Sequence, residues 1–257
     1  MLTNQFSIGL SNDWLDAARD ARASRADKPL AADRLSPTLV RHVAFACVLI
    51  SLALSAVLGW WVLLAQAVGI ASGWVYNLGA KASPFSFVPY LVGFGILPVI
   101  VTLASAPAQG VPSTSVSPVL PALWVIAVAA SLGIAAHFAN AMPDIEDDRA
   151  EGILGLPQRM GARASGVITF IVLLIGAAIA FTGPGGAISL AQWIGLALNV
   201  VIAIVGVGLV ARQLPRRTSR LSSPEQSAPT RLAFQLIMVA ALANVLMIAA
   251  AGTKIVA

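Results

Sequence analysis

The sequence predicts an all-α protein that crosses a membrane several times. Of its 257 residues, 58% are hydrophobic and only 11% are charged, and its mean hydropathy is +0.85. Soluble domains carry roughly 25% charged residues. The apolar residues also fall in runs of about 20, the length of a helix that spans a bilayer. This composition disfavours the alternative of a soluble protein with a large buried core.

Seven apolar runs are long enough to span a membrane as helices. They lack the period-two alternation of strands, and a helix satisfies its own backbone hydrogen bonds in lipid. Abundant Gly, Ala and Ser within them allow close contact between helices. The predicted spans cover residues 38–59, 61–80, 84–106, 119–143, 164–182, 187–211 and 231–252. We expect a partial helix before them, beginning at Met1, and a single domain over residues 1–257.

The positions of the charged residues agree with this topology. If the spans alternate in direction, all eleven acids and fifteen of the sixteen bases fall at one side, and only Lys254 falls at the other. Cytoplasmic loops of membrane proteins are enriched in Lys and Arg. We therefore expect a multi-pass protein of the cell membrane whose charged side faces the cytoplasm. The same bias explains the pI near 10.1, so we expect no nucleic-acid partner.

Ten of the eleven acids fall in two clusters. The first cluster consists of Asp13, Asp16, Asp20, Asp27 and Asp33, and the second of Asp144, Glu146, Asp147, Asp148 and Glu151. On a helix, several members of each cluster share one face, where they repel each other unless a cation neutralises them. A solvated charged surface is the alternative for either cluster alone.

Clustered carboxylates with interleaved bases are typical of a site for Mg²⁺ and diphosphate. Carboxylate oxygens suit Mg²⁺, which keeps several waters and bridges to phosphate oxygens. The bases near the two clusters are Arg19, Arg22, Arg25, Lys28 and Arg34, then Arg149, Arg159 and Arg163. Such cations can hold a diphosphate and stabilise it as a leaving group.

Five segments share their pattern with one known family. They read "NDWLDAARD" at 12–20, "KPLAADRLS" at 28–36, "VYNLGAK" at 75–81, "DIEDDRAEG" at 144–152 and "GLPQRMG" at 155–161. The first and fourth resemble the N-D-x-x-D-x-x-x-D and D-x-x-x-D-x-x-x-G motifs of the UbiA superfamily of intramembrane prenyltransferases. The other three resemble segments that accompany those motifs, and the resemblance covers nearly the whole chain.

The resemblance implies a transmembrane bundle of the UbiA type and a metal-dependent reaction. Such enzymes transfer a prenyl group from a polyisoprenyl diphosphate to an acceptor, often an aromatic ring, within the membrane. Asn12, Asp16 and Asp20 would hold one Mg²⁺, and Asp144 and Asp148 would hold the other. The four aspartates are the predicted catalytic residues, and the bilayer, the diphosphate and a small hydrophobic or aromatic acceptor are the predicted partners.

Further residues are predicted to bind substrate. By the same resemblance, Lys28 and Lys81 would bind the diphosphate, and Asp13 would support the first metal site. Tyr76 would line the pocket. His137 and Asn140 share a helical face with Asp144, and polar residues within a span often serve function. We assign these two to acceptor binding, with an interhelical hydrogen bond as the alternative.

Three departures from the family pattern affect these expectations. Only eleven residues precede Asn12, too few for the family's first transmembrane helix, and we expect the native reading frame to begin upstream. Asp33 stands where the family has Gly, and Lys28 stands where Arg is common. Two other functions therefore stay open, a cation-coupled transporter and an inactive truncated homologue. The acceptor is also open: a quinone precursor ring, a haem or chlorin, or a sugar phosphate.

Overall fold

The computed structural model describes residues 1–22, 28–30, 34–105, 118–213 and 227–256. Within these ranges the chain is helical, and one isolated β-bridge between Pro121 and Val256 is the only extended pairing. The prediction of an all-α fold is therefore confirmed. Asp27, Asp33 and Arg25 lie outside the described residues, as do the segments 106–117 and 214–226.

Ten α-helices follow one another along the described parts of the chain. They are α1 (Leu2–Arg22), α2 (Pro37–Leu58), α3 (Trp60–Leu78), α4 (Val88–Ser105), α5 (Leu123–Ala141), α6 (Ile145–Ala150), α7 (Leu156–Met160), α8 (Ala162–Thr182), α9 (Leu190–Gln213) and α10 (Ser227–Ala250). Short 3₁₀ turns at Ala80–Ala82 and Met142–Asp144 follow α3 and α5. These turns carry Lys81 and Asp144.

Six of these helices are long and apolar enough to cross a membrane: α2, α3, α4, α5 with its continuation α6, α8 and α9. They make the chain a multi-pass membrane protein. The seventh predicted span falls on α10, where the apolar stretch Gln235–Ala250 is shorter than the other six. The count of seven therefore stays a prediction. The predicted partial helix corresponds to α1, which is 21 residues long and much more polar than the spans.

Helix α1 packs against α2 and α3, and its contact with α3 includes buried polar side chains. Its Ser7 and Ser11 are fully buried. The Asn77 side-chain amide of α3 donates to the Ile8 carbonyl at 2.9 Å and to the Ser11 hydroxyl at 2.8 Å. A side chain at Gly73 of α3 would lie 2.4 Å from Ile8, so the glycine lets the two helices approach closely. This packing fixes α1, which carries the first acidic motif.

Helix α5 contacts α4 on one side and α8 and α10 on another. A Cβ at Gly133 would lie 2.3 Å from the Tyr90 carbonyl oxygen, so the α4 and α5 backbones are in close contact. Phe170 and Leu173 of α8 pack with Ala135 of α5 in a buried apolar cluster. In lipid, van der Waals contact of this kind holds helices together. The end of α5, where the second motif begins, is thus firmly positioned.

Candidate functional site

A polar cavity of about 210 Å³ lies where α1, α3 and α5 end. Its wall consists of Asn12, Asp16, Arg19, Asp20, Lys28, Tyr76, Lys81, Asn140, Ala141, Asp144, Asp148, Ile153 and Gln158. Both acidic motifs contribute to it. The cavity brings together nine of the eleven residues predicted at the site, all except Asp13 and His137.

The first motif places two buried carboxylates in this cavity. Asp16 and Asp20 are one helical turn apart on α1 and only 6% and 4% exposed. Lys81 Nζ lies 2.5 and 2.6 Å from the two Asp16 oxygens. Arg19 Nη2 donates to Asp16 Oδ2 at 2.8 Å. A buried carboxylate is costly unless it is paired, and here two cations neutralise Asp16.

A sharp turn at the end of α3 puts Lys81 beside Asp16. Gly79 ends the helix with φ +147°, a conformation that side-chain-bearing residues rarely adopt and glycine adopts without steric penalty. Its N–H donates a hydrogen bond to the Tyr76 carbonyl oxygen at 3.3 Å. The 3₁₀ turn Ala80–Ala82 follows directly and carries Lys81. The "VYNLGAK" segment therefore supplies both the turn and the cation.

Arg19 connects the two acidic motifs. Its Nη2 contacts Asp16 and lies 3.8 Å from Asp20 Oδ1, while its Nε lies 3.0 Å from Glu151 Oε2. Glu151 follows α6 in the second motif. One guanidinium therefore forms ion pairs with carboxylates from both motifs.

The second motif is more open than the first. After α5 the chain turns through Met142–Asp144 into the short helix α6, whose first turn holds three acids. Carboxylates are favourable there because they interact with the positive end of the helix dipole. Asp144 is exposed and Asp148 is half-buried. Gln158 Nε2 donates to Asp148 Oδ2 at 2.7 Å.

Asp13 and His137 lie beside the cavity. Asp13 Oδ1 is 2.5 Å from Lys28 Nζ, so this pair joins α1 to the segment that follows it. His137 is 2% exposed, and its Nε2 lies 3.0 Å from the Ser86 hydroxyl. Its ring packs against Tyr90, with 5.0 Å between ring centroids. This bond joins α5 to the turn before α4, and the acceptor-binding role of His137 stays a prediction.

Four wall residues were not among the predicted site residues: Arg19, Ala141, Ile153 and Gln158. Arg19 follows Asp16 by three residues, so helical spacing already placed it on the same face. Gln158 lies within the "GLPQRMG" segment, which was noted without a role for its residues. Nothing in the sequence indicated Ile153, a buried apolar residue.

The donor atoms on the cavity wall fit a hard cation. Asn12, Asp16 and Asp20 on one side and Asp144 and Asp148 on the other offer only oxygen ligands, which Mg²⁺ prefers. In the described parts of the chain, no three His, Cys, Asp or Glu side chains converge closely enough to hold an ion in this conformation. Their number and chemistry suit Mg²⁺, but side chains must shift to enclose it.

Comparison with known proteins identifies the family. The profile of the UbiA prenyltransferase family matches residues 1–235. The chain is 26% identical over 176 residues to digeranylgeranylglyceryl phosphate synthase of Methanopyrus kandleri, covering 67% of this chain and 59% of that protein. It is 29% identical over 188 residues to the bacteriochlorophyll synthase 33 kDa chain of Rhodobacter capsulatus, covering 67% and 56%. The chain thus spans less than two thirds of both relatives.

Two solved structures share the fold. One is the apo structure of a UbiA homologue from Aeropyrum pernix K1, with a TM-score of 0.64 and 16% identity, covering 96% of this chain and 85% of that one. The other is a UbiA homologue from Archaeoglobus fulgidus bound to GPP and Mg²⁺, with a TM-score of 0.57 and 15% identity, covering 95% and 87%. Together with the profile match over residues 1–235, these likenesses confirm the expected resemblance: the chain belongs to the UbiA prenyltransferase family.

Proposed function

We propose that this protein transfers a prenyl group from a polyisoprenyl diphosphate to a hydrophobic or aromatic acceptor, with Mg²⁺, inside the membrane. The observation that carries the proposal is the single cavity lined by carboxylates of both motifs and by three basic side chains. Metal ligands and phosphate-binding cations are needed together for diphosphate to leave. The structurally similar A. fulgidus homologue binds GPP and Mg²⁺, which supports this choice of donor and metal.

Five side chains would hold the metal. Asn12, Asp16 and Asp20 would bind one Mg²⁺ and Asp144 and Asp148 the other. Bound Mg²⁺ would neutralise the diphosphate oxygens and so help the leaving group to depart. Asp16 must exchange its present cationic partners for this purpose, whereas Asp148 can keep its contact with Gln158.

The basic residues would bind the diphosphate directly. Lys81 and Arg19 now contact the carboxylate of Asp16, and Lys28 contacts Asp13. Phosphate oxygens are chemically similar acceptors for charge-assisted hydrogen bonds. We expect these three cations to turn towards the diphosphate when it enters, with Arg19 as the one side chain able to make two parallel bonds.

The remaining wall residues would protect and orient the reacting carbon. When the allylic C–O bond breaks, its electron pair leaves with the diphosphate, and the cationic carbon must be shielded from water. Ile153, Ala141 and Tyr76 supply apolar surface on the wall. The acceptor then forms the new bond to that carbon and loses a proton. Tyr76 and Asn140 are the polar wall residues best suited to contact the acceptor; the sequence predicted acceptor binding for Asn140 and a place in the pocket wall for Tyr76.

The charged end of the bundle would face the cytoplasm, where water-soluble diphosphate head groups are available. This orientation follows from the excess of Lys and Arg in the loops at that end. The prenyl chain would extend between the helices towards lipid. The positions of the acidic motifs at the helix ends also argue against the transporter alternative, whose sites usually lie near mid-membrane.

A transfer assay on purified membranes tests the proposal. Membranes containing the protein are incubated with radiolabelled prenyl diphosphates and a panel of quinone-precursor, chlorin and sugar-phosphate acceptors, with Mg²⁺ or with EDTA. We expect a labelled lipid product that requires Mg²⁺ and is absent with Asp148→Asn. If no diphosphate and acceptor pair gives product, while reconstituted vesicles show cation flux, the transporter alternative is correct.

A further inference from the structure

We infer that Gln158 is the positioning residue of the second motif, holding the Asp148 carboxylate in the orientation that binds the cation. The inference rests on the proposed function, since it assumes that Asp148 is a metal ligand. Gln158 itself would contact neither metal nor substrate. Groups that hydrogen-bond a ligating carboxylate fix its orientation, and their loss typically weakens metal binding.

In the hydrogen bond between the two side chains, only Gln158 can be the donor. A carboxylate accepts hydrogen bonds and does not donate them, so the NH₂ group of Gln158 must face Asp148. The distance from Nε2 to Oδ2 is 2.7 Å, as expected for a bond to a charged acceptor. In the described ranges, Gln158 is the one hydrogen-bonding partner of the Asp148 side chain, and Oδ1 stays available for another ligand.

Gln158 is neutral, and this distinguishes it from the partners of Asp16. A lysine or arginine at this position would compete with a metal ion for the carboxylate charge. An amide orients the carboxylate and leaves its negative charge in place. Gln158 is only 5% exposed although it lines the cavity, so burial restricts its side chain to few orientations.

The backbone that carries Gln158 is held from two sides. The Leu156 N–H at the start of α7 donates to the Ser86 hydroxyl at 2.9 Å, and Ser86 is fully buried beside His137. Arg149 of α6 donates from Nε to the Gln158 carbonyl at 2.5 Å. These bonds tie α7 to the segment before α4 and to α6, which itself carries Asp148.

A close backbone contact links α7 to the first half of the site. A Cβ at Gly155, which precedes α7, would lie 2.4 Å from the Lys81 carbonyl oxygen. The turn with Lys81 and the turn before Gln158 are therefore packed directly on each other. A shift of α7 would move both the amide that holds Asp148 and the turn that carries Lys81.

Metal titration of the full chain tests the role of Gln158 without measuring activity. Mn²⁺, a spectroscopic substitute for Mg²⁺, is titrated into detergent-purified protein and followed by electron paramagnetic resonance, in the absence of substrate. We expect Gln158→Leu to weaken Mn²⁺ binding by about 10-fold. Gln158→Met, which keeps the length of the side chain, should behave in the same way and serves if the leucine variant does not fold.

A double-mutant cycle separates positioning from general packing. If Gln158 acts through Asp148, then Gln158→Leu should cause no further loss in an Asp148→Asn background, because the partner is already altered. Gln192→Leu is the matched control. Gln192 is also 5% exposed, but it lies in the first turn of α9, outside the cavity wall, and its side-chain oxygen accepts a hydrogen bond from the Ser189 hydroxyl. This control should leave Mn²⁺ affinity unchanged.

Three results would overturn the inference. Wild-type Mn²⁺ affinity in Gln158→Leu and Gln158→Met would exclude the role, provided that Asp148→Asn still weakens binding. Equal losses in Gln158→Leu and Gln192→Leu would indicate general destabilisation. A full additional loss in the double variant would show that Gln158 acts independently of Asp148. Unchanged Mn²⁺ binding in Asp148→Asn has a different meaning, since it removes the metal ligand assumed by the proposed function itself.

Discussion

The two acidic motifs face the same cavity but have opposite surroundings. In the first, Asp16 is buried and contacts Lys81 and Arg19 at hydrogen-bonding distance. In the second, Asp148 is half-buried and contacts the neutral amide of Gln158. Identical side chains therefore differ in charge balance. The first motif is already neutralised by the protein, and the second retains negative charge at the cavity wall.

This difference implies that the two motifs bind their metal ions in sequence. A cation that enters the cavity must displace Lys81 or Arg19 to reach Asp16, whereas among the described residues no cation is bonded to Asp148. We therefore expect the second motif to bind the first metal ion. Diphosphate would then attract Lys81 and Arg19 away from Asp16, because phosphate oxygens accept the same bonds, and the first motif would become free to bind metal.

The largest expected effect is loss of transfer when the second motif is altered. Asp148→Ala or Asp144→Ala should lower prenyl transfer by about 10²–10³-fold, as loss of a group that stabilises developing charge commonly does. Expression in membranes should change little, because neither carboxylate is deeply buried. The measurement is product formation from labelled diphosphate, normalised to the folded protein recovered in detergent.

Unimpaired transfer in both variants would show that the second motif is not needed for the reaction, and would contradict the different roles proposed for the two motifs. Loss of protein from the membrane would instead show that these carboxylates serve the fold. The assay distinguishes the two results because folded protein is quantified separately.

Much of this arrangement could be predicted from the sequence. The apolar runs indicated the helices, and the acidic patterns indicated which side chains meet, because helical spacing places Asn12, Asp16 and Asp20 on one face. Lys81 was predicted only by resemblance, since its approach to Asp16 depends on the turn at Gly79. Nothing local to residue 81 indicates that contact.

The interactions between distant segments could not be predicted. Gln158 reaches Asp148 because α7 is held by Ser86, which is 70 residues earlier in the sequence than Leu156. Such a contact follows from the packing of α4, α5 and α8. The burial of His137 has the same origin, because the fit of α4 against α5 encloses it. The spacing of apolar and polar residues describes one helix at a time, and it does not indicate which distant segments pack against that helix.

The next largest effect concerns stability and should be confined to the first motif. Asp16→Ala removes the carboxylate that pairs with Lys81, while Arg19 keeps Asp20 and Glu151 as partners. Removing one partner of a buried ion pair destabilises by about 3 kcal/mol. Asp148→Ala should have a clearly smaller effect, because it removes one hydrogen bond to a half-buried carboxylate. Reversible unfolding in detergent measures both.

Lys81→Met provides the matching test of the ion pair. In the Asp16→Ala background it should restore part of the lost stability, because it removes the unpaired buried charge. If Asp16→Ala and Asp148→Ala destabilise equally, or if Lys81→Met gives no recovery, the two motifs do not differ in the way proposed.

A smaller effect, with opposite signs for two ligands, is expected at Arg19. Arg19→Gln removes a positive charge that now contacts Asp16 and Glu151. Mn²⁺ binding without substrate should become tighter, on the order of 5-fold, because less repulsion opposes the metal. Binding of a prenyl diphosphate should become weaker, because a phosphate-binding side chain is lost.

Calorimetric titration with each ligand separately measures these two changes. A change of the same sign for both ligands would show that Arg19 acts on the cavity as a whole, through its shape, and would contradict a role in charge balance. Arg163→Gln is a suitable comparison, since it removes the same charge, its side chain is exposed at the start of α8 and it does not line the cavity.

The smallest effect is expected at Glu146, within the second motif but away from the cavity. Its side chain is 83% exposed and pairs with Arg149 at 3.1 Å, and exposed pairs of this kind contribute little. Glu146→Gln removes the same formal charge from α6 as Asp148→Asn does. We expect transfer to stay within about twofold of the unmodified protein and stability within about 0.5 kcal/mol. The transfer assay on both variants, side by side, therefore separates the position of a carboxylate from the total negative charge of the helix. A large loss of transfer in Glu146→Gln would mean that the total charge of the helix determines the transfer rate. The contrast between the acids that line the cavity and those that do not would then have no functional meaning.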